Sequence, residues 1–471
     1  MHFRNLAAAT AVALSLPTLA LAQVTGPSSS QAPYLLPDAG APGVQTVSLI
    51  TVGDSVGGYR MVGIPDGLGA FKRAPNAKKF GLVMNHELQA TSGVPRAHGQ
   101  SGAFVSLWGI NSIDKSVFYG RDHALNVVTT GALAQSRFCS GDMAARTAFF
   151  QFATPTSRDP YIFLSGEENG AEGRCYAHVV AGPGERVSYE LPSLGKYSWE
   201  NALARPFPSP KTVVVGLDDS TPGQVYVYVG NKQATGTVIQ QAGLEGGLKY
   251  GVKVTGVALE DRTTGIGAAT TFELAPLGDV SGLTGAQLQT NSVAAGVTEF
   301  LRPEDGCWDV ANPTDFYFVT TDRFNSVSQV GRSRLWRLRF SDVNNPELGG
   351  TIAMLLDGTE GQQMMDNIGH DNRGHIIITE DVGNNAHLGR VLQYDIATDT
   401  LKTLCVSDAT RFLTGGANFL TQDEEASGVF DARDFLGNGW LLIDMQAHFT
   451  NPDAELVEGG QLIAIFNPDS Q

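Results

Sequence analysis

The chain has 471 residues, 42% of them apolar and only 17% charged, with 55 glycines. The charged share lies under the ~25% of an average domain, so the composition describes a folded, turn-rich chain and argues against disorder or a helical rod. The formal net charge of −16 counts against nucleic acid as a partner, because a phosphate backbone needs clustered Lys and Arg; it is compatible with divalent cations.

Arg4 precedes an apolar run from Leu6 to Leu21, and Ala20-Leu21-Ala22 supplies a small-x-small cleavage pattern. Residues 1–22 therefore read as a signal peptide cleaved near Ala22. A membrane anchor is the competing reading, but the run is shorter than the ~20 residues of a span and Pro17 interrupts it. No later segment is long and apolar enough to span, so the expectation is a periplasmic or secreted protein without stable membrane insertion. Residues 23–45, rich in Pro, Ser, Gly and Ala, read as a flexible lead-in to a single domain over 46–471.

Helical periodicity is scarce; 281–289 and 408–415 are candidates for short helices. What recurs is an apolar strand running into one or two acids. The strand 80–84 leads to Glu87, 161–164 to Glu167-Glu168, 212–217 to Asp218-Asp219, 316–319 to Asp322, 375–378 to Glu380-Asp381, and 440–443 to Asp444. Six such units suggest six structural repeats, and radial repetition is how a long antiparallel chain hides its strand edges. If each apolar strand is the inner strand of a blade, the acids collect at one mouth of a central channel. Crowded carboxylates repel and stay ionised only with cations between them. The plainer reading is that acids end strands as turn residues. Cys139, Cys175, Cys307 and Cys405 form an even set with no CxxC pair, which in an oxidising compartment suggests two disulfides, unless one cysteine ligates a metal.

Met84-Asn85-His86-Glu87, Arg96-Ala97-His98-Gly99, Cys139-Ser140-Gly141, Glu167-Glu168, Arg302-Pro303-Glu304-Asp305-Gly306, Asp366-Asn367, Thr379-Glu380-Asp381, Glu425-Ala426-Ser427-Gly428 and Met445-Gln446-Ala447-His448 follow one another along the chain. In this order they resemble the PhoX family of bacterial alkaline phosphatases. The resemblance implies an exported, all-β, six-bladed β-propeller, with irregular insertions here, that hydrolyses phosphate monoesters at calcium and iron ions in the channel mouth. It departs from the family where Trp199 stands before Glu200 in place of the usual His, and where the leader carries one Arg rather than two.

The resemblance implies that Cys139 ligates iron; a disulfide with Cys175 is the alternative. A thiolate suits iron, and oxygen donors suit calcium. Glu168, Glu200, Asp219, Glu304 and Glu425 would be oxygen ligands. Arg302 and Glu304, two apart across Pro303, are expected on one side of an extended segment, with Arg302 holding phosphate oxygens in its planar fork; a structural Arg–Glu pair is the alternative. Asp366 and Asp381 flank the turn 371–374, so a hairpin would bring both acids to one end, with Asn367 completing a calcium site. A lone His near a strand end is usually structural, which leaves His448 out of the ligand set. The leading expectation is a metal-dependent phosphomonoesterase acting on small phosphate esters. The alternatives are a non-catalytic, calcium-stabilised binding propeller and a calcium-dependent lactonase-like hydrolase.

Overall fold

A computed structural model describes residues 23–150, 159–261, 266, 270–322 and 332–471; the expected signal peptide lies outside them. Six antiparallel four-stranded blades account for most of the described chain. Their innermost strands are Pro65–Phe71, Phe138–Asp142, Trp199–Ala204, Pro303–Trp308, Met365–His370 and Glu424–Asp431, taken as blades one to six. Each packs beside the next, and the sixth returns to the first. The ring is therefore a closed β-propeller around a channel.

The apolar strands that mark the repeats are not the inner ones. Lys79–His86, Tyr161–Glu167, Lys211–Asp218, Asp315–Thr320, His375–Glu380 and Trp440–Ala447 are the second strands of their blades. The physical reason is crowding at the axis. A Cβ on Gly67 would lie 2.3 Å from the backbone nitrogen of Gly141 in the next inner strand, so inner strands take small and polar residues. The second strands are sandwiched between neighbouring blades, and strands covered on both faces read as continuous apolar runs.

Gln45–Thr51 pairs with Gly459–Phe466, so an N-terminal strand closes the C-terminal blade. The lead-in 23–45, expected to be loose, is instead built into the wheel. Gln23–Thr25 and Leu35–Pro37 extend the sheets of blades six and five, and Tyr34 and Leu35 enter a core cluster. Thr270–Gly278 pairs with both Leu248–Val254 and Gly350–Leu356 and fuses blades three and four into one sheet, which removes two exposed edges. The two helix candidates appear as Gly285–Ala295, capped by Thr284 in a capping box, and the single turn Ala409–Phe412, capped by Asp408. No helix among the described residues is long and apolar enough to cross a membrane. All four cysteines are buried free thiols, which corrects the expectation of disulfides; Cys175, Cys307 and Cys405 pack in three different apolar clusters.

Candidate metal centre

The second residue of every inner strand points to the same place in the architecture: Asp66, Cys139, Glu200, Glu304, Asp366 and Glu425. All six are buried. The backbone repeats with them. In each blade the register between inner and second strand slips within the first few pairs, a bulge that re-aims side chains. In blades one to five the slipped pair is the ring residue and its successor; in blade six it is Ser427 and Gly428. Four of the strands are entered through a residue with positive φ, namely Ile64, Arg137, Arg302 and Met364, a conformation costly for side chains other than Gly. Arg302 is therefore not in the extended backbone expected of it, although its Nη2 still reaches Glu304 Oε1 at 2.7 Å.

A second ring lies at the ends of the second strands. The backbone N–H groups of Glu87, Glu168, Asp219, Thr321, Asp381 and His448 donate to the carbonyls of Ile64, Arg137, Ser198, Arg302, Met364 and Asp423, at 2.8–3.1 Å. The acid-ended motifs thus mark this ring, except that its fourth and sixth members are Thr321 and His448 rather than Asp322 and Asp444. A mouth cavity of about 320 Å³ is lined by Glu87, Asp381, Glu425 and His448 of these rings and by Arg137, with Asp423 and Glu458 on its wall.

Three groups gather ligand atoms within 4.8 Å of one another: Asp66, Glu87 and Cys139; Glu200, Glu304 and Asp366; and Asp366, Asp381 and Glu425. Of the ligand candidates read from the sequence, Cys139, Glu200, Glu304, Asp366, Asp381 and Glu425 enter these groups. Glu168 and Asp219 do not. Arg137 holds Glu168 by a close ion pair and Glu87 at 2.6 Å. Arg302 grips Asp219 with Nε and Nη2 at 2.8 and 2.9 Å. Asp66, not among the ligand candidates read from the sequence, sits in Pro65-Asp66-Gly67; the Pro-acid start that it shares with Pro303-Glu304 is the one local signal for it. His448 sits at a ring position, 2.6 Å from Glu458 and 3.7 Å from Glu425. Burial alone would lower its pKa, but these two carboxylates raise it well above the usual value.

Burial pushes the carboxyls of Asp66, Glu200, Glu304, Asp366 and Asp381 above the usual range. Neighbouring carboxylates push Asp66, Glu200 and Asp366 further, whereas Arg302 opposes the rise at Glu304 and Asp381. The Cys139 thiol is raised by burial, then by Asp66 and Glu200. Its Sγ lies 3.1 Å from Glu200 Oε2. Asp66 Oδ1, Glu200 Oε1, Asp366 Oδ1, Gln446 Oε1 and both polar atoms of the Asn367 amide are buried with no hydrogen-bond partner. Orphaned buried oxygens are costly and are the arrangement a cation satisfies. The donor set therefore fits calcium through its oxygens and iron through the thiol. Trp199 faces away from this set: it stacks on Tyr197 at 4.0 Å in a hydrophobic cluster, so the absent His leaves no gap in the ring. Gly53-Asp54-Ser55-Val56-Gly57 has the letters of a serine-nucleophile elbow, but Ser55 is exposed in a two-stranded hairpin rather than on a strand-to-helix turn.

Pseudomonas fluorescens PhoX in complex with vanadate, a transition-state analogue, superposes with a TM-score of 0.62 over 93% of this chain and 98% of that one, at 13% identity. The propeller fold is shared. A protein of unknown function from Dyadobacter fermentans (TM-score 0.40, 10% identity, 90% and 100% coverage) and a glucose dehydrogenase (0.35, 11%, 90% and 99%) are more distant. No protein-family model matches the chain, and no curated protein matches it by sequence.

Proposed function

We propose that the chain is an exported, metal-dependent phosphomonoesterase of the PhoX kind, acting on small phosphate esters. One observation carries the reading: six blades each deliver one ligand-type side chain, five carboxylates and a thiol, to the same depth of one channel. The fold shared with a vanadate-bound PhoX supports it. Cys139, Glu200, Glu304, Asp366, Asp381 and Glu425, with Asp66 and Glu87, would hold calcium and iron. When bound, such cations withdraw charge from phosphate oxygens and activate a water.

The chain's own contribution is positioning. Arg137 and Arg302 occupy equivalent places before the inner strands of blades two and four. Glu168 and Asp219 fix their guanidinium planes. Held there, two cations face the charge that grows on a transferring phosphoryl group, and fixed donors stabilise that charge without reorganising. The net negative charge is no obstacle, since bound cations invert the local field.

The test is hydrolysis of p-nitrophenyl phosphate by the full mature chain. Turnover should vanish on chelation and return with calcium plus iron. Arg302→Ala should lower kcat/KM about 10²–10³-fold. A binding module is the second reading, favoured by the engagement of Arg302 with both Asp219 and Glu304. A folded, cation-loaded protein that turns over no phosphate ester would establish that reading instead.

A further inference from the structure

Beneath the ligand ring, Ser140, Asn201 and Asp305, the next residues of the inner strands of blades two, three and four, are joined by hydrogen bonds. One carboxylate there ties three blades together. Asp305 Oδ1 accepts from Asn201 Nδ2 at 2.5 Å and from the backbone N–H of Gly306 at 2.6 Å. Its Oδ2 accepts from the backbone N–H of Ile368 at 3.2 Å. Asn201 also donates to Ser140 Oγ at 3.0 Å, extending the link to blade two. Asp305 is 4% exposed and separates the ring from a larger cavity of about 1060 Å³ at the opposite end of the channel.

The three blades joined are those that supply Glu200, Glu304 and Asp366, one of the three ligand groups. Asn201 follows Glu200, Asp305 follows Glu304, and Ile368 lies two residues after Asp366. All three ligands stand where the register slips, so ladder hydrogen bonds within their own blades do not fix them. A group that must hold a cation needs its ligands set by a supporting layer of hydrogen bonds. We infer that Asp305 is the positioning residue of the Glu200–Glu304–Asp366 cation site: by accepting hydrogen bonds from blades three, four and five it sets the spacing of three carboxylates that their own strands leave loose. The inference rests on the cation-binding half of the proposed function.

The test titrates calcium, and then terbium as a luminescent stand-in, into the chelator-stripped mature chain. The Asp305→Asn variant keeps the shape but puts an N–H donor where an acceptor is needed. We expect its calcium affinity to fall about 10–100-fold, and the terbium lifetime to shorten as water replaces a displaced ligand. Asp142→Asn is the control. Its half-buried carboxylate also spans two blades, accepting from the Ala204 N–H at 3.1 Å, but it adjoins no member of this ligand group. It should bind within twofold of the unmodified protein. If Asp305→Asn does not fold, Asn201→Ala removes one of the same bonds and should weaken calcium in the same direction. Equal affinities for the unmodified protein and Asp305→Asn would overturn the inference, as would an equal loss in Asp142→Asn. Failure of the unmodified protein to bind calcium or terbium would instead overturn the cation-binding reading.

Discussion

Asp66, Glu200, Glu304 and Asp366 are each buried among other acids, and this sets a pH signature. In the metal-free folded protein their carboxyls hold protons above the usual range, whereas in the unfolded chain they ionise near ~4. The folded state thus binds more protons. Its advantage is present below about pH 4 and is lost as pH rises through the raised folded values. Calcium must displace those protons. The calcium-induced rise in Tm should therefore grow as pH is raised from about 5 to about 8, read by thermal unfolding with and without chelator. A shift that is constant with pH would place calcium elsewhere. At this scale residue type alone makes Cys139 and Glu304 candidates, and the structure sets each in a group of ligand-type atoms. Asp219 and Glu168 instead face Arg302 and Arg137, which residue type could not foretell, because what an acid meets depends on which side chain arrives opposite it.

Inner strands explain themselves through what they cannot carry. Gly67 lies against Gly141 N and Ser140 C, 2.3 and 2.5 Å from where a Cβ would stand, so these neighbours approach backbone to backbone. Gly67→Ala should cost about 1–3 kcal/mol by overpacking, measured by denaturant unfolding. Gly282, which has open space around it and no positive φ, should tolerate alanine within about 0.5 kcal/mol. The strand-then-acid pattern located every second strand, since those strands are buried on both faces and read as apolar runs. The inner strands escaped notice because their bulges and small residues erase the period-two alternation by which a strand is recognised.

Closure decides the behaviour of the whole wheel. Blade six joins Gly459–Phe466 to Gln45–Thr51 across nearly the entire chain, and Gln461 reinforces the seam through hydrogen bonds to Tyr34 N, Ala32 O and Thr51 Oγ1. Removing residues 23–51 would expose a row of unpaired backbone groups on an apolar strand. The truncated chain should lose cooperative unfolding and self-associate in sedimentation; a monomer unfolding at the unchanged Tm would refute this role for the strand. The amino-acid sequence on its own determined the all-β class, the sixfold recurrence and the residue types suited to cations, because burial pattern and donor chemistry are local properties. Only the tertiary structure decided that the ligand-type side chains stand at the second residue of each inner strand, that Asp66 belongs with them, that the cysteines stay apart and that the lead-in is part of the wheel. Those facts depend on register and ring closure, which are set by contacts between residues hundreds of positions apart and leave no mark in any short stretch of sequence.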